Sequence, residues 1–273
     1  MPEAVEERSR PRLLGVLNIT PDSFSDGGQY LSPDAALKRA CLLWEQGADW
    51  VDVGAESTRP GAPAVSVAEE LRRLEPVFAG LKADGRPWSI DSQKPEVLAA
   101  AVAAGVGMLN DVNALQAPGA LEVAASCDVP VVLMHRQGNA QTMQAAPAYS
   151  DVLQEVEAFL LQRRQACLQA GIAAERIILD PGIGFGKTLE HNLTLLRALS
   201  GMRQRLGAPI LLGVSRKSLF RDLLGLEQPE QRIAASAQLA AWAAGQGVDY
   251  LRVHDVPQTV QALGLQQALE GTA

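Results

Sequence analysis

Short apolar runs of strand length recur along the chain, and each stands a few residues before a longer segment with helical spacing of apolar residues. Eight runs can be counted, and they read RLLGVL, WVDVG, WSID, GMLND, PVVLMH, RIILD, PILLGVS and YLRVH. Strands that alternate with helices favour parallel pairing, and nearly continuous apolar runs are typical of strands covered on both faces. Eight units predict a (β/α)₈ barrel. An open doubly wound sheet is the alternative, because periodicity alone does not show that the first and last strands meet.

Three of the predicted helices carry signals at their starts. Ser32 stands before Pro33, which places a capping residue ahead of one that is preset for the first helical turn. Ser66 with Glu69 fits a capping box. Thr188 precedes an apolar stripe at helical spacing, so we expect it to cap the next helix and to have a structural role.

The length of 273 residues suits one large domain, and no Pro/Ser-rich linker or shift in composition divides the chain. We expect a disordered N-terminal arm at positions 1–10 and one barrel domain at positions 11–273. The arm is charged from its third residue and has no apolar segment after it, so it is not a secretory signal. The Ala-rich run Ile233–Ala244 is too short to span a membrane, and it predicts a buried or interface helix.

Charge and cysteine content exclude several classes of function. The formal net charge of -7 argues against general affinity for nucleic acid or for an anionic membrane surface. The three cysteines, Cys41, Cys127 and Cys167, are widely spaced, which predicts neither a disulfide framework nor a zinc site. We therefore expect free thiols and a cytoplasmic location.

Polar side chains stand where almost every predicted strand ends. In a barrel of this type the active site forms there, at the start of the loops that lead to the helices. Each residue alone has an ordinary structural explanation as a turn former, a helix cap or a buried histidine. Together they would crowd many polar groups onto one rim without a ligand to satisfy them. The residues are Asn18, Glu56, Thr58, Arg59, Asp91, Asn110, Asp111, Met134, His135, Asp180, Ser215, Arg216, Lys217, Arg252, His254 and Asp255.

The residue types indicate two kinds of ligand group. Acceptors at Asp91, Asn110 and Asp180 suit a flat heterocycle with several N–H donors, such as a pterin or guanine-like ring, and Lys217 suits its carbonyl oxygen. A second group, Asn18 with Arg252 and His254, suits an anion such as a phosphate. A hard cation held by one amide oxygen, the ligand's phosphates and waters is typical of magnesium.

The Gly-rich stretch DPGIGFGKT invites comparison with phosphate-binding loops, but its spacing differs from theirs. A nucleotide P-loop needs four residues between its first Gly and the Gly-Lys pair, whereas Gly182 and Gly186 leave three. A dinucleotide fingerprint fails as well, because Lys187 stands where a small residue is needed. We therefore expect phosphate to be bound elsewhere.

Eight motifs in chain order resemble those of the dihydropteroate synthase family, and the resemblance covers nearly the whole chain. The motifs are LNITPDSFSDGG, ESTRPGA, SIDSQKP, LNDVNAL, LMH, DPGIGFGK, SRKS and RVHDV. The family joins 6-hydroxymethyl-7,8-dihydropterin diphosphate to p-aminobenzoate in folate biosynthesis, giving 7,8-dihydropteroate and diphosphate. The resemblance implies a TIM barrel with mobile loops after strands one and two, a magnesium cofactor, a homodimer, and sulfonamides as mimics of p-aminobenzoate.

The resemblance also implies roles for particular residues. The pterin site is implied at Asp91, Asn110, Met134, Asp180, Phe185 and Lys217. The diphosphate site is implied at Asn18, Thr58, Arg252 and His254, with Asn18 also the ligand of Mg²⁺. The p-aminobenzoate site is implied at Phe24, Thr58, Arg59, Pro60, Phe185, Lys217 and Ser218, where the helix start helps hold the carboxylate.

The implied chemistry needs no strong base, because the arylamine is neutral and already nucleophilic. A largely dissociative path would break the C–O bond to diphosphate and form a pterin carbocation. Its catalytic residues are implied to be Asp26, Asp91, Lys217, Arg252 and His254. Three positions depart from the family pattern: Ala55, Arg136 and Arg221.

Two other readings fit parts of the pattern. A barrel of the methyltetrahydrofolate-binding methyltransferase type binds a similar pterin, but it has no use for the first-loop, TRPG and SRKS motifs present here. A barrel that only binds a pterin has no need of a diphosphate site, which Asn18, Arg252 and His254 would supply. Both remain as alternatives.

Overall fold

The structure is a computed structural model that describes residues 10–20, 32–57, 61–138 and 141–271. Most of the predicted arm lies outside the described residues, as do positions 21–31 after the first strand and 58–60 after the second. The mobility of these two loops therefore stays a prediction. Arg10, the last residue of the predicted arm, is described, and its guanidinium donates to both carboxylate oxygens of Asp49 at 2.7 and 3.0 Å.

Strands and helices alternate through the described residues. The strands are β1 (Arg12–Asn18), β2 (Trp50–Gly54), β3 (Trp88–Asp91), β4 (Met108–Asp111), β5 (Val131–Met134), β6 (Ile177–Asp180), β7 (Leu211–Gly213) and β8 (Tyr250–Val253). The α-helices are α1 (Pro33–Glu45), α2 (Val67–Asp84), α3 (Pro95–Ala103), α4 (Ala120–Ala125), α5 (Val152–Gln169), α6 (Leu189–Arg197), α7 (Leu199–Leu206), α8 (Leu219–Leu224), α9 (Ile233–Gly245) and α10 (Val256–Glu270). Two helices follow each of β6 and β7, where the sequence had suggested one.

The strands close into the predicted (β/α)₈ barrel. All pairs are parallel, in the order β6-β5-β4-β3-β2-β1-β8-β7. Strand β1 pairs with both β2 and β8, so the first and last strands of the chain meet. At the seam between β6 and β7, Leu179 forms a bridge with Ile210, and its N–H donates to the carbonyl of Pro209 at 2.9 Å. This closure excludes the open doubly wound sheet.

The interior of the barrel is apolar at its centre and polar one layer further along the strands. Residues that pack together inside the barrel are Leu14, Met108, Val132, Ile178, Leu211 and Tyr250. Successive side chains of a strand point to opposite faces, so the residue two positions on faces the interior again. These next positions on β4 to β8 are Asn110, Met134, Asp180, Gly213 and Arg252. The two-residue period of the strands thus places Asn110, Asp180 and Arg252 directly above the apolar layer at the centre of the barrel.

The predicted helix starts are confirmed with one difference. The side chains of Ser32 and Thr188 accept hydrogen bonds from the third residue of their helices, and Thr188 forms a full capping box with His191. Ser66 also caps its helix, accepting from Glu69 N at 3.2 Å. The carboxylate of Glu69 does not return to the cap, because Arg72 and Arg73 bind it instead. Only half of the predicted box at Ser66 is therefore formed.

Helix α9 contains the Ala-rich run. Its buried side chains Ala237, Ala240 and Ala243 face the barrel, while Trp242 on the other side is 42% exposed. Among the described residues, none of the helices combines the length and the apolar character needed to span a bilayer. The predicted buried face of this helix is confirmed.

Candidate active site

A pocket opens at the carboxyl end of the strands, above the apolar interior. The lining residues are Asp91, Asn110, Val112, Met134, Asp180, Ile183, Phe185, Gly213, Ser215, Lys217, Arg252 and His254. They come from strand ends far apart in sequence, as the barrel geometry requires.

Most of the predicted site residues that are described meet in this pocket. Those that line it are Asp91, Asn110, Met134, Asp180, Phe185, Lys217, Arg252 and His254. Asn18 and Ser218 are described but are not among the lining residues. Phe24, Asp26, Thr58, Arg59 and Pro60 lie outside the described residues. Sequence reasoning had given no role to Val112, Ile183 and Gly213.

Asp52 in the middle of β2 is the buried acceptor beneath the pocket, and sequence reasoning missed it. Its side chain is fully buried. Its Oδ2 accepts hydrogen bonds from Arg252 Nε at 2.6 Å and Asn110 Nδ2 at 3.1 Å, and its Oδ1 accepts from Ser89 Oγ at 2.6 Å. The available signal was a single carboxylate inside the apolar strand WVDVG, since a buried charge requires partners.

Arg252 contacts both Asp52 and Asp91, a residue that lines the pocket. Its Nη2 donates to Asp91 Oδ2 at 2.7 Å, so one guanidinium joins carboxylates on β2 and β3. Burial alone would lower the pKa of Arg252, but Asp52 and Asp91 raise it above its ordinary value. Burial raises the pKa of Asp91, and the charge of Arg252 opposes that rise. Arg252 therefore stays charged and limits the rise in the pKa of Asp91, which is about 7.

Asp180 ends β6 and faces the same pocket. Its Oδ1 accepts a hydrogen bond from Gly182 N at 2.7 Å, which orients the carboxylate at the start of the Gly-rich loop. Burial raises the pKa of Asp180 to about 6, against the opposing effects of the Gly182 N–H and Lys217. At neutral pH the group is thus mainly a carboxylate, and it can accept hydrogen bonds from a ligand.

The glycines of the Gly-rich loop permit close contact with the neighbouring loop after β5. Gly182 has φ +67°, and a Cβ there would lie 1.8 Å from the carbonyl oxygen of His135. Gly186 has φ +64°, and its Cβ would lie 2.4 Å from the carbonyl oxygen of Gln137. Both positions favour glycine by conformation as well as by space. These glycines therefore allow the backbone of the Gly-rich loop to pack directly against the backbone of the loop after β5.

Lys187 of the Gly-rich loop points into the protein and stabilises the loop by hydrogen bonds. Its side chain is buried, and Nζ donates to the carbonyls of Gly182 and Phe185 at 2.9 and 3.1 Å. His135 Nδ1 lies 2.9 Å from the same nitrogen. Burial lowers the pKa of Lys187 to about 7, with Asp180 opposing, and burial lowers the pKa of His135 to about 3. Lys187 thus binds carbonyl groups of its own loop, whereas the lysine of a P-loop binds phosphate. This agrees with the conclusion from spacing that the loop is not a P-loop.

Lys217 is the cation at the pocket wall. Its Nζ donates to the carbonyl of Ile183 at 2.9 Å and lies 3.9 Å from the centre of the Phe185 ring. Burial lowers the pKa of Lys217 to about 8, and Asp180 opposes this shift. A half-buried ammonium between an aromatic face and two carboxylates can donate to a ligand carbonyl or neutralise a ligand anion.

The loops after β7 and β8 are joined at the pocket. Ser215 Oγ accepts a hydrogen bond from the backbone N–H of His254 at 3.1 Å. Ser218 stands at the start of α8, and its hydroxyl makes no capping bond to that helix. Its proposed contact with a carboxylate stays a prediction.

Asn18 is the last residue of β1 and lies opposite Gly54 in the strand register. Over the described ranges, no group of three or more His, Cys, Asp and Glu residues is placed to hold a metal ion. A cation here would depend on one amide oxygen and on oxygens that a ligand brings. Magnesium accepts such a donor set, because it keeps several waters and binds substrate phosphates. The residues present therefore fit a magnesium ion that arrives with a phosphorylated ligand.

The three positions that depart from the family pattern each have a partner in the structure. Arg136 Nη2 donates to Gln93 Oε1 at 2.8 Å and Asn113 Oδ1 at 3.2 Å, tying together the loops after β3, β4 and β5. Arg221 lies on α8 and bonds the carboxylate of the next residue, Asp222. The carbonyl of Ala55 accepts from an arginine of α2. Neither arginine lines the pocket.

The fold and the pocket define a barrel enzyme of the pterin-binding class. The family described as pterin binding enzyme matches residues 14–254. The dihydropteroate synthase of Escherichia coli (strain K12) is 47% identical over 261 residues, which is 95% of this chain and 92% of the relative. This chain therefore belongs to the dihydropteroate synthase family, whose members transfer a pterin group to p-aminobenzoate.

Solved structures of the family agree with this assignment. The dihydropteroate synthase of Xanthomonas albilineans with 4-aminobenzoic acid has a TM-score of 0.89 and 51% identity, covering 96% of this chain and 93% of that one. The Yersinia pestis dihydropteroate synthase in a sulfonamide drug complex has a TM-score of 0.91 and 44% identity, covering 96% and 95%.

Replacing the buried acceptor, Asp52→Asn, should lower the free energy of unfolding by about 3 kcal/mol, because Arg252 loses one of its two carboxylate partners in a shielded position. The matched control is Glu157→Gln, which removes the carboxylate of a more exposed pair with Arg205. For this control we expect the free energy of unfolding to fall by at most about 1 kcal/mol. Denaturant unfolding of both variants measures the difference, and equal losses would contradict the role given to Asp52.

The depressed pKa of Lys187 predicts a pH dependence of stability. Between pH 7 and 9 the unfolded chain keeps this lysine protonated while the folded chain releases the proton, so the unfolded state binds more protons and stability rises with pH. Lys187→Met should reduce this rise, whatever its effect on stability at a single pH. Unfolding free energies at pH 7 and 9 for both proteins test this. The same rise in the variant would assign the dependence to other groups, such as Lys217.

Proposed function

We propose that this chain condenses 6-hydroxymethyl-7,8-dihydropterin diphosphate with p-aminobenzoate, giving 7,8-dihydropteroate and diphosphate. The main observation behind the proposal is that hydrogen-bond acceptors and cationic side chains line the same pocket. Asp91, Asn110 and Asp180 line it together with Lys217 and Arg252. A neutral ring with N–H donors and an attached anion would satisfy both sets.

The pterin ring would lie against the strand ends. Asp180 and Asn110 would accept hydrogen bonds from ring nitrogens, and Lys217 would donate to the ring carbonyl. Met134 and Phe185 would supply apolar contacts beside the ring. The orientation of Asp180 by Gly182 N–H supports this assignment, because the carboxylate is fixed before a ligand arrives.

The diphosphate would lie on the side of β8. Arg252 donates through Nε to Asp52 and through Nη2 to Asp91, so we assign its Nη1 to the anion. His254 lines the same pocket, and Thr58 is the further predicted contact. Asn18 and the diphosphate oxygens would hold Mg²⁺, which when bound supplies neutralisation of charge on the leaving group.

p-Aminobenzoate would bind beside Phe185 and Lys217, with its carboxylate near Ser218 at the start of α8. Lys217 already lies over the Phe185 ring, which supports a shared wall between the two substrates. Phe24, Thr58, Arg59 and Pro60 complete this predicted pocket. Sulfonamides would compete for it, and a sulfonamide complex of the Yersinia pestis relative supports that expectation.

The reaction would follow a largely dissociative path. The C–O bond between the pterin methylene and diphosphate breaks, and the electron pair leaves with the diphosphate. The neutral arylamine nitrogen then bonds to the methylene carbon and loses a proton to solvent water. Asp91, with Asp26 as the further predicted carboxylate, would stabilise the cationic pterin, while Arg252 and His254 would stabilise the departing anion.

We also propose a cytoplasmic homodimer. Exposed apolar side chains on α9 and α10 support an interface on that side of the barrel. They are Trp242 at 42%, Leu265 at 65% and Leu269 at 80% exposed. The two helices pack against each other, which supports one interface that uses both of them.

An omission experiment tests the proposed reaction. The purified protein is supplied with dihydropterin diphosphate, magnesium and p-aminobenzoate, and each is left out in turn. We expect diphosphate release that depends on all three, with dihydropteroate formed in equal amount. Tight binding of the pterin diphosphate without turnover would instead indicate a barrel that only binds a pterin.

Arg252→Ala should lower turnover far more than it weakens binding of a pterin that lacks the diphosphate, because its Nη1 is assigned to the leaving group. Steady-state kinetics and calorimetry measure the two effects. Arg205→Ala, which breaks a pair outside the pocket, is the control for general loss of stability. An equal fall in turnover and in pterin affinity would mean that Arg252 acts through the structure of the site.

A further inference from the structure

Arg216 has an unusual backbone conformation directly beside the pocket. Its φ is +57°, in the left-handed region that favours glycine. A non-glycine residue keeps such a conformation only where its surroundings hold it, and such residues cluster at functional sites. Its neighbours in the chain, Ser215 and Lys217, both line the pocket, whereas Arg216 itself does not. The direction in which Lys217 leaves the chain therefore depends on the conformation of Arg216.

The backbone of Arg216 is held at the start of α9, by Ser236 in its first turn and by Arg232, the residue that precedes the helix. Its N–H donates to Ser236 Oγ at 2.9 Å, and its carbonyl accepts from Arg232 Nη1 at 3.1 Å. Ser236 Oγ in turn donates to the carbonyl of Arg232 at 2.7 Å. Both peptide groups that flank the left-handed residue are thus bonded to side chains at the start of α9 or directly before it.

The side chain of Arg216 is held by the loop after β8. Its Nε and Nη2 donate to the two carboxylate oxygens of Asp255 at 2.8 and 2.5 Å. The exposed fractions are 27% for the arginine side chain and 11% for the aspartate, so solvent screens this pair only in part. A two-point Arg–carboxylate contact fixes orientation as well as distance. The pair therefore fixes the loop that carries Lys217 against the loop that carries His254.

We propose that Arg216 and Asp255 are positioning residues, whose ion pair holds the left-handed turn that directs Lys217 into the pocket. Neither touches the pocket itself, so their effect on a ligand passes through Lys217. Its Nζ is aimed at the Ile183 carbonyl and the Phe185 ring, where both substrates are assigned. For its kinetic readout, this inference rests on the proposed function.

The test uses the full chain with Arg216→Gln, Asp255→Asn and the double variant. We expect each single variant to lower kcat/KM by about tenfold or more, because small errors in placement are costly at a site of this kind. The double variant should be no worse than either single one, since both break the same contact. Arg216→Lys, which keeps the charge without the two-point geometry, should fall between wild type and Arg216→Gln. Arg205→Gln breaks an ion pair with Glu157 that lies outside the pocket, so it is the control and should change only the melting temperature.

A second comparison asks whether the pair acts through Lys217. Lys217→Ala is combined with Arg216→Gln, and affinity for a pterin without diphosphate is measured by calorimetry. We expect Arg216→Gln to weaken binding in the wild-type background and to change it less than about twofold in the Lys217→Ala background. An equal loss in both backgrounds would overturn the proposal, as would unchanged binding and kinetics in Arg216→Gln.

A crystal structure of Asp255→Asn separates this inference from the proposed reaction, because it needs no substrate. We expect Lys217 Nζ to leave the Ile183 carbonyl and Arg216 to shift from its left-handed conformation. Retention of both features would overturn the positioning role. Failure of the wild-type protein in the omission experiment, with these shifts present in the variant, would overturn the reaction alone.

Discussion

The buried contact of Arg252 with Asp52 is the interaction on which the rest of the site depends. Asp52 is fully buried in β2, and a carboxylate in that position requires a cation and hydrogen-bond donors. Arg252 supplies the cation, while Ser89 and Asn110 supply donors. Four strands are thereby fixed around one carboxylate. Arg252 in turn donates to Asp91, so Asp52, which does not line the pocket, helps to position two of the charged groups that do.

The arrangement follows from the period of the strands. Apolar side chains such as Ile178 and Tyr250 fill the centre of the barrel, and the next inward positions on the same strands are Asp180 and Arg252. The apolar layer excludes water from below, which strengthens the electrostatic interactions above it. In the proposed reaction this separates two tasks. Asp180, Asn110 and Lys217 would bind the neutral ring, while Arg252 and His254 would face the group that leaves with negative charge.

Much of the fold and part of the site could be predicted from the sequence. The eight apolar runs predict the barrel because their spacing reflects burial on both faces, and strand ends such as Asp180 and Lys217 follow from that topology. The carboxylate in WVDVG signals that Asp52 needs a partner, but the partner could not be identified, because Arg252 is 200 residues away. The inward turn of Lys187 was equally hidden, since it depends on left-handed glycines and on the approach of another loop. The contacts that hold Arg216 join the loop after β7, the start of α9 and the loop after β8. Because these segments are far apart in sequence, no local pattern predicts the contacts.

A crystal structure of this chain with a bound dihydropterin tests the central claim most directly. The account predicts that the ring lies in the described pocket, with its N–H groups bonded to Asp180 and Asn110 and its carbonyl to Lys217. Arg252 should remain bonded to Asp52 in that complex. A ring bound elsewhere on the barrel, or a complex in which Arg252 leaves Asp52 to contact the ring, would contradict it.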